Sequence, residues 1–507
     1  MHTLVLGAGS AGCVIAARLS ESSRAEVTLV EAGPDYRSPA DVPADLANGR
    51  KNSLVDHDWG YRFQPTALRP NTFAFPRGRV VGGSSAVNTC IALRGHPYDY
   101  DEWAERGLTE WSFAHCLPAF KRLEHDLDFD NEWHGQDGPI PVRRHPHYEL
   151  TVWQAGFFDA ARDAGYPETV DHNNPELPCG VGPHAMNKVG GERMSAARCY
   201  LTPEVRRRPN LRVVSNAHVR RLTFANKKVT GVEVQLPDGS VELLRADRVV
   251  VSGGAIGSLG ILLRSGIGPR RDVERLGVEL VQDSPTVGAR LLDHYGVAIL
   301  LAPRSDFCTT ADPVIQLMAR ATTLGSRHPH DLQIQAGSWL PVFGLEIPVV
   351  ALMAAIGKPD GAGTIRFDSA DPLAKPHIEA RFLAHPADRA RAVEAIERMW
   401  ALARKPALAS LATPLYPSRG VLSKTASIAD FLPKITGSGY HPCGTIPMSA
   451  QNIEDGALDG ECRVRGVSGV IVADASIFPT IMTANTNLPT LMVGERVAEW
   501  LLEGRYD

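Results

Sequence analysis

The sequence predicts an α/β fold built on a parallel sheet, and two stretches carry that prediction. Near the start, "TLVLGAGSAGCVIAARLS" passes from a short apolar strand through Gly7, Gly9 and Gly12 into a helical pattern, and "EVTLVEAG" follows as a second strand. Much later, "VVVSGGAIGSLGILLRSGIGP" (249–269) repeats the order of strand, glycine turn and helix. Strands alternating with helices in this way build βαβ units, whose strands lie parallel.

Each element has its reason. Thr3–Leu6 is short and apolar-leaning, as a buried parallel strand should be. Gly7 makes the tight turn, Gly9 lets backbone approach a pyrophosphate, and Gly12 allows the helix to pack close to the strand. The helix, with apolar Val14, Ile15, Ala17 and Leu19, presents a partial positive charge at its start, where a phosphate is welcome. Glu31 ends the second strand, placed to accept from ribose hydroxyls. Together these parts predict dinucleotide binding, with NAD(P) and FAD as alternatives, since the fingerprint serves both.

Four further stretches stand out. "FPRGRVVGGSSAVNTCIALRGHPYDYDEW" (75–103) sets a glycine pair and two hydroxyls after a short apolar run, a turn that can face bare N–H groups to an anion or a ring edge. "QIQAGSWLPVFGLEIPVVALMAAI" (333–356), with Trp339 and Phe343, reads as apolar sheet, either core or pocket wall, and 386–404 reads as an amphipathic helix. "GYHPCGTIPM" (439–448) puts His441 in a loop too rich in Gly and Pro for helix or strand.

The totals exclude several classes. A net charge of −4 over 507 residues, with no Lys/Arg block, offers no field for nucleic acid. No apolar run reaches the ~18–20 residues of a membrane span. With the glycine motif opening the sequence no secretory leader is expected, and eight cysteines lack CxxC spacing. A cytoplasmic protein with no metal site is expected.

Four blocks in order carry a family likeness. Gly78–Asp101, Gly254–Gly268 (with Leu259 where Pro or Ser is usual), "GTIRFDSADPLAKPHIEARFL" (363–383) and "VADASIFPTIMTANTNLPTLMVGERVAEWL" (472–501) resemble the glucose–methanol–choline (GMC) oxidoreductases, in the manner of choline dehydrogenases and aryl-alcohol oxidases. The resemblance implies an FAD-binding, Rossmann-like domain in three pieces (1–130, 185–295 and 431–507). It also implies a connecting segment at 131–184 and an α+β substrate domain with a mainly antiparallel sheet at 296–430. FAD would contact Gly7, Gly9, Ser10, Ala11, Gly12, Glu31 and Ala32 through its ADP half, with Val219 at the adenine. Val81, Gly83, Asn88 and Ile91 would flank the isoalloxazine. Asp474 and Ala475 would meet the pyrophosphate and ribityl, and Asn485, Thr486 and Pro489 the pyrimidine edge. Val87 stands where some members attach FAD through a histidine, so non-covalent FAD is expected.

The implied reaction is oxidation of a primary alcohol to an aldehyde, with hydride to flavin N5 and proton to His441. Asn487 is the expected partner of His441, with Asn485 the competing choice, and His294 of "RLLDHYG" reads as structural. An alcohol near pKa ~16 facing a histidine near ~6.5 puts a free alkoxide roughly 12–13 kcal/mol uphill. That is most of the ~16 kcal/mol barrier of a typical enzyme, so proton and hydride loss must be coupled or the oxygen held by donors. O2 and a quinone or protein remain alternative electron acceptors. A hydroxynitrile-lyase-like enzyme with redox-idle FAD is the alternative reaction.

Overall fold

The computed structural model describes residues 1–339 and 349–506; Phe343 lies outside them. A five-stranded parallel sheet takes its strands from distant parts of the chain, in the order Leu211–Val214, Glu26–Val30, His2–Leu6, Arg248–Val251, Val470–Val472. The strands are almost wholly apolar because helices and loops bury both faces. Leu6 is in register with Val30 and Val251, and Val251 with Val472. The carboxyl ends of the strands therefore finish together, where open α/β sheets bind their ligands.

The first and last helices pack against each other. Ser10–Leu19 lies against Asn487–Leu502, and the approach is so close that a Cβ on Gly494 would sit 2.9 Å from Val14 Cβ. Buried Glu495 fastens the contact, accepting from Arg18, Arg122 and Tyr200 at 2.6–3.0 Å.

The second layer is a seven-stranded antiparallel sheet. Its main path runs Ala412–Tyr416, Tyr295–Pro303, Val350–Ile356, Leu332–Gly337, Leu317–Ala321, Val181–Pro183, and Thr436–Ser438 also pairs with Tyr295–Pro303. The chain folds as an α/β Rossmann-like sheet joined to a larger, mainly antiparallel one, as the sequence predicts. The helix read over 386–404 forms as Pro386–Ala403 and buries Ala392, Ala395, Ile396 and Met399. Alternation along Leu332–Gly337 sends Leu332, Ile334 and Ala336 one way and Gln333 and Gln335 the other.

One buried cluster has metal-ligand residue types, Glu124, Asp126 and His134. Arg94 and Arg144 pair with its carboxylates, and His134 also bonds Asp171 at 2.8 Å. Although burial opposes its charge, hydrogen bonds to Asp126, Asp171 and Glu124 push His134 up to about 10. Arg94 and Arg144 supply the cations that balance these carboxylates, so the cluster is an ion-pair network in this structure. No helix among the described residues is long and apolar enough to cross a membrane.

Candidate active site

Between the two sheets lies a cavity of about 610 Å³. Three helices point their starts into it: Ser10–Leu19, Gly254–Arg264 and Asn487–Leu502. Ser10–Leu19 and Asn487–Leu502 have no side-chain cap on the first turn, whereas the Asp474 carboxylate takes the Gly254 N–H at the start of Gly254–Arg264. Uncapped helix starts leave N–H groups unsatisfied and carry partial positive charge, which suits phosphate and carbonyl oxygens.

The glycine turns explain how backbone comes so close. A Cβ at Gly7 would lie 2.5 Å from Ser252 O, and one at Gly12 only 1.9 Å from Gly7 O. Gly83, at φ +51°, packs onto Gly9, where a Cβ would come 2.7 Å from the Gly9 Cα, while Gly82 N–H donates to Ala8 O at 2.7 Å. Two loops far apart in sequence thus form one bare-backbone wall. Glu31 braces it, accepting from Ala8 N–H at 3.0 Å and Gly33 N–H at 2.9 Å, and burial raises its carboxyl to about 7.

Of the residues expected to hold a dinucleotide, Gly7, Gly9, Ser10, Ala11, Glu31, Ala32, Gly83, Asn88, Ile91, Val219, Asp474, Ala475, Asn485 and Thr486 line the cavity. Gly12, Val81 and Pro489 do not. Gly12 is a packing residue, Val81 donates its N–H to Pro34 O, and Pro489 is buried inside the last helix. The Asp474 carboxylate is spent on Gly254 N–H, Ser258 Oγ and Ser476 N–H, tying two segments of the site together. Val87 also lines the cavity.

His441 lines the same cavity beside the antiparallel sheet. Its loop is held by Asp293, which accepts from the Ser438 hydroxyl and, at 2.8 Å, from the His441 N–H. Tyr440 adopts φ +63°, a left-handed conformation costing ~1–2 kcal/mol. Its N–H donates to Ser438 Oγ at 2.6 Å and its carbonyl accepts from Arg77 at 2.7 Å. Pro442 restricts His441 to extended backbone. The imidazole makes two contacts: Nε2 stands 3.0 Å from Asn485 Nδ2, and Nδ1 stands 2.9 Å from His294 Nδ1. Burial, with His294 and Arg77 nearby, holds its pKa well below the ordinary histidine value. The ring is therefore neutral and able to take a proton.

The expected pairing of His441 with Asn487 is not what the geometry gives. Asn487 opens the last helix and accepts from Ser10 Oγ at 2.8 Å, joining the two helix starts. Asn485, two residues earlier and still outside the helix, is the amide that reaches His441. The sequence holds both asparagines, and only the position of the helix start separates their roles. Gln333 and Gln335 also face the cavity, as do Met353 and Ala355. Their signal was legible as the L-Q-I-Q-A alternation inside an otherwise apolar stretch. Trp339 packs half-buried against the core instead.

Residues 1–296 and 359–494 both match family models described as GMC oxidoreductase. The chain belongs to the GMC oxidoreductase family. It is similar to the oxygen-dependent choline dehydrogenase of Vibrio vulnificus (strain YJ016), 32% identical over 98% of this chain and 94% of that protein. It is equally similar to the 5-(hydroxymethyl)furfural oxidase of Methylovorus sp. (strain MP688), 32% identical with 98% of both chains covered. Among solved structures, pyridoxine 4-oxidase from "Mesorbium loti" superposes with a TM-score of 0.91, 28% identity and 99% of both chains covered. This GMC protein is thus an FAD-dependent redox enzyme for a CH–OH type of substrate. The cavity fits that cofactor: Asn487 Nδ2 and Asn485 Oδ1 are buried in its wall with no partner among the described residues. Such orphans are costly unless a ligand satisfies them.

Proposed function

We propose that this enzyme oxidises an uncharged primary alcohol to the aldehyde, with His441 as the base that receives the hydroxyl proton. The observation that carries the reading is the pair His441 Nε2 and Asn485 Nδ2, 3.0 Å apart on one cavity wall. A hydroxyl approaching the pair from the cavity meets a neutral ring nitrogen and an amide donor side by side. The nitrogen takes the proton, and the N–H holds the oxygen as negative charge develops on it. Asn485 cannot compete for the proton, because a neutral amide N–H₂ only donates. Low polarity around His441 strengthens both contacts. The uncapped helix starts at Ser10 and Asn487, with Glu31 at the carboxyl edge, would hold FAD. Bound FAD supplies the two-electron acceptor for the hydride from the carbinol carbon.

The cavity wall supports an uncharged substrate. Its only carboxylates among the described residues are Glu31 and Asp474, both at the carboxyl edge of the parallel sheet. Among the described residues no carboxylate lines the cavity beside His441 to meet a quaternary ammonium such as choline, and Asp293 is turned to the Ser438 hydroxyl and the His441 N–H. Gln333, Gln335 and Met353 offer instead amide groups and a polarisable thioether. The name of one relative, 5-(hydroxymethyl)furfural oxidase, agrees with an uncharged hydroxymethyl substrate. Val87, with no group able to bond a flavin, favours FAD held without a covalent link.

The test is anaerobic. Purified protein is mixed with aromatic and aliphatic primary alcohols and with choline, and the visible flavin absorption is followed. Bleaching by an uncharged alcohol and not by choline is expected. Preferred bleaching by choline contradicts the substrate class. Turnover of a cyanohydrin with the colour intact identifies a lyase. Admitting air to the bleached protein then tests O2 as acceptor against an added quinone, and acid precipitation that releases FAD into solution supports the non-covalent link.

A further inference from the structure

His441 has a second imidazole behind it, and the hydrogen bonds of that imidazole determine what His441 can do. His294 is buried, and its Nε2 lies 2.8 Å from the carbonyl oxygen of Met482. A carbonyl only accepts, so Nε2 of His294 must carry the hydrogen. A neutral imidazole with one N–H has a bare lone pair on the other nitrogen. His294 Nδ1 is therefore an acceptor, and it faces His441 Nδ1 at 2.9 Å. His441 must donate from Nδ1, which leaves Nε2 bare toward the cavity and opposite the Asn485 amide. Each step follows from a partner able to play only one part.

The geometry points to His294 as the positioning residue that fixes His441 with Nε2 unprotonated and then shares the proton that His441 receives. This rests on the reading of His441 as the base. When the alcohol O–H breaks, its proton forms an N–H bond at His441 Nε2. The existing Nδ1 proton of His441 can then pass to His294 Nδ1, while the hydride leaves the carbinol carbon with its electron pair for FAD. One positive charge is created, and it is spread over two rings.

His294 is the better place for that charge. Burial opposes a charge on either ring, but the carbonyls of Met482 and Gly357 and the Asp99 carboxylate face His294, with Lys358 as the opposing cation. His441 is faced by Arg77 and His294, both unfavourable to a cation. The Asp293 carboxylate accepts the backbone N–H of His441 rather than its ring. The rings stand nearly perpendicular, at 78°, so the shared hydrogen lies between two nitrogens rather than two stacked faces.

Two variants and two readouts test the idea in FAD-loaded protein. His294→Asn keeps an acceptor for the His441 N–H but cannot take a proton, and His294→Leu removes both functions. Nitrogen-15 NMR of histidine-labelled protein should show His441 protonated at Nδ1 and bare at Nε2. The His294→Asn variant should keep that tautomer and the Leu variant lose it. The rate of anaerobic flavin reduction in H2O–D2O mixtures should bow with deuterium fraction in the parent, for two protons in motion, and become linear in His294→Asn. Losing the tautomer should slow His294→Leu by roughly 10²–10⁴-fold, as when a triad histidine loses its orienting partner. A His441 found protonated at Nε2, or an unchanged isotope curve in His294→Asn, overturns the proposal. An indifferent His294 beside a disabled His441 variant would sink this inference while leaving the base assignment standing.

Discussion

Asn485 and Asn487 sit two residues apart, and exchanging the perturbation between them separates a reacting group from a structural one. Asn485→Asp keeps the shape of the side chain and places a negative charge 3.0 Å from His441 Nε2. A unit charge pair at that distance is worth about 5–6 kcal/mol at an effective dielectric near 20, equivalent to about 4 pH units. The sign is upward: the carboxylate stabilises imidazolium, so the base stays protonated, and idle, to higher pH. In the parent, burial, His294 and Arg77 hold the His441 pKa below the ordinary range, so activity should persist well below neutrality. In Asn485→Asp the acid limb of the rate of anaerobic flavin reduction should move up from its parental position by as much as those ~4 units. Asn485→Leu should instead lower the rate about 10²–10³-fold at every pH, the loss of one donor to a developing oxyanion. Asn487→Leu loses its bond to Ser10 and the Nδ2 donor left for the cofactor, about 1 kcal/mol each; it should weaken FAD retention while the FAD-loaded variant reduces within about tenfold of the parent. If Asn487 variants lose more than Asn485 variants, or Asn485→Asp leaves the pH profile in place, the assignment of the oxygen partner is refuted.

Two predictions concern stability. Burial depresses His172 to about 3 and His294 to about 4, and holds His184 well below its ordinary value. The unfolded chain therefore binds protons first, and stability falls as pH drops below ~6.5, by about 2 kcal/mol per histidine between pH 7 and 5. Three such groups contribute a loss of roughly 6 kcal/mol, which Glu31 and Asp293, raised to about 7 by burial, offset by about 2 kcal/mol each as they take up protons in the folded chain; a melting temperature that rises over that interval contradicts it. Glu495→Ala leaves Arg18 and Arg122 without their shared buried carboxylate and should destabilise by about 3–5 kcal/mol, read by denaturant unfolding. An unaffected midpoint would show that the two outer helices are held by packing alone.

Much of this was legible in the sequence, and the exceptions have physical causes. The glycine turns, the parallel strands and Glu31 follow from local rules of spacing, so their places could be read directly. Gly12, Val81 and Pro489 could not be placed by motif alone, because touching a ligand and packing beneath it look alike in one dimension. Asn485 and Asn487 differ only in where a helix begins, which single-residue pattern does not fix. The role of His294 needed its Met482 contact, made across a sequence gap that no local pattern spans.

The most direct measurement is the rate at which an alcohol reduces the flavin of His441→Ala in the absence of air. The variant should keep its FAD and its colour, with reduction slowed about 10²–10⁴-fold, as for a lost general base. Reduction at the parental rate would contradict the account.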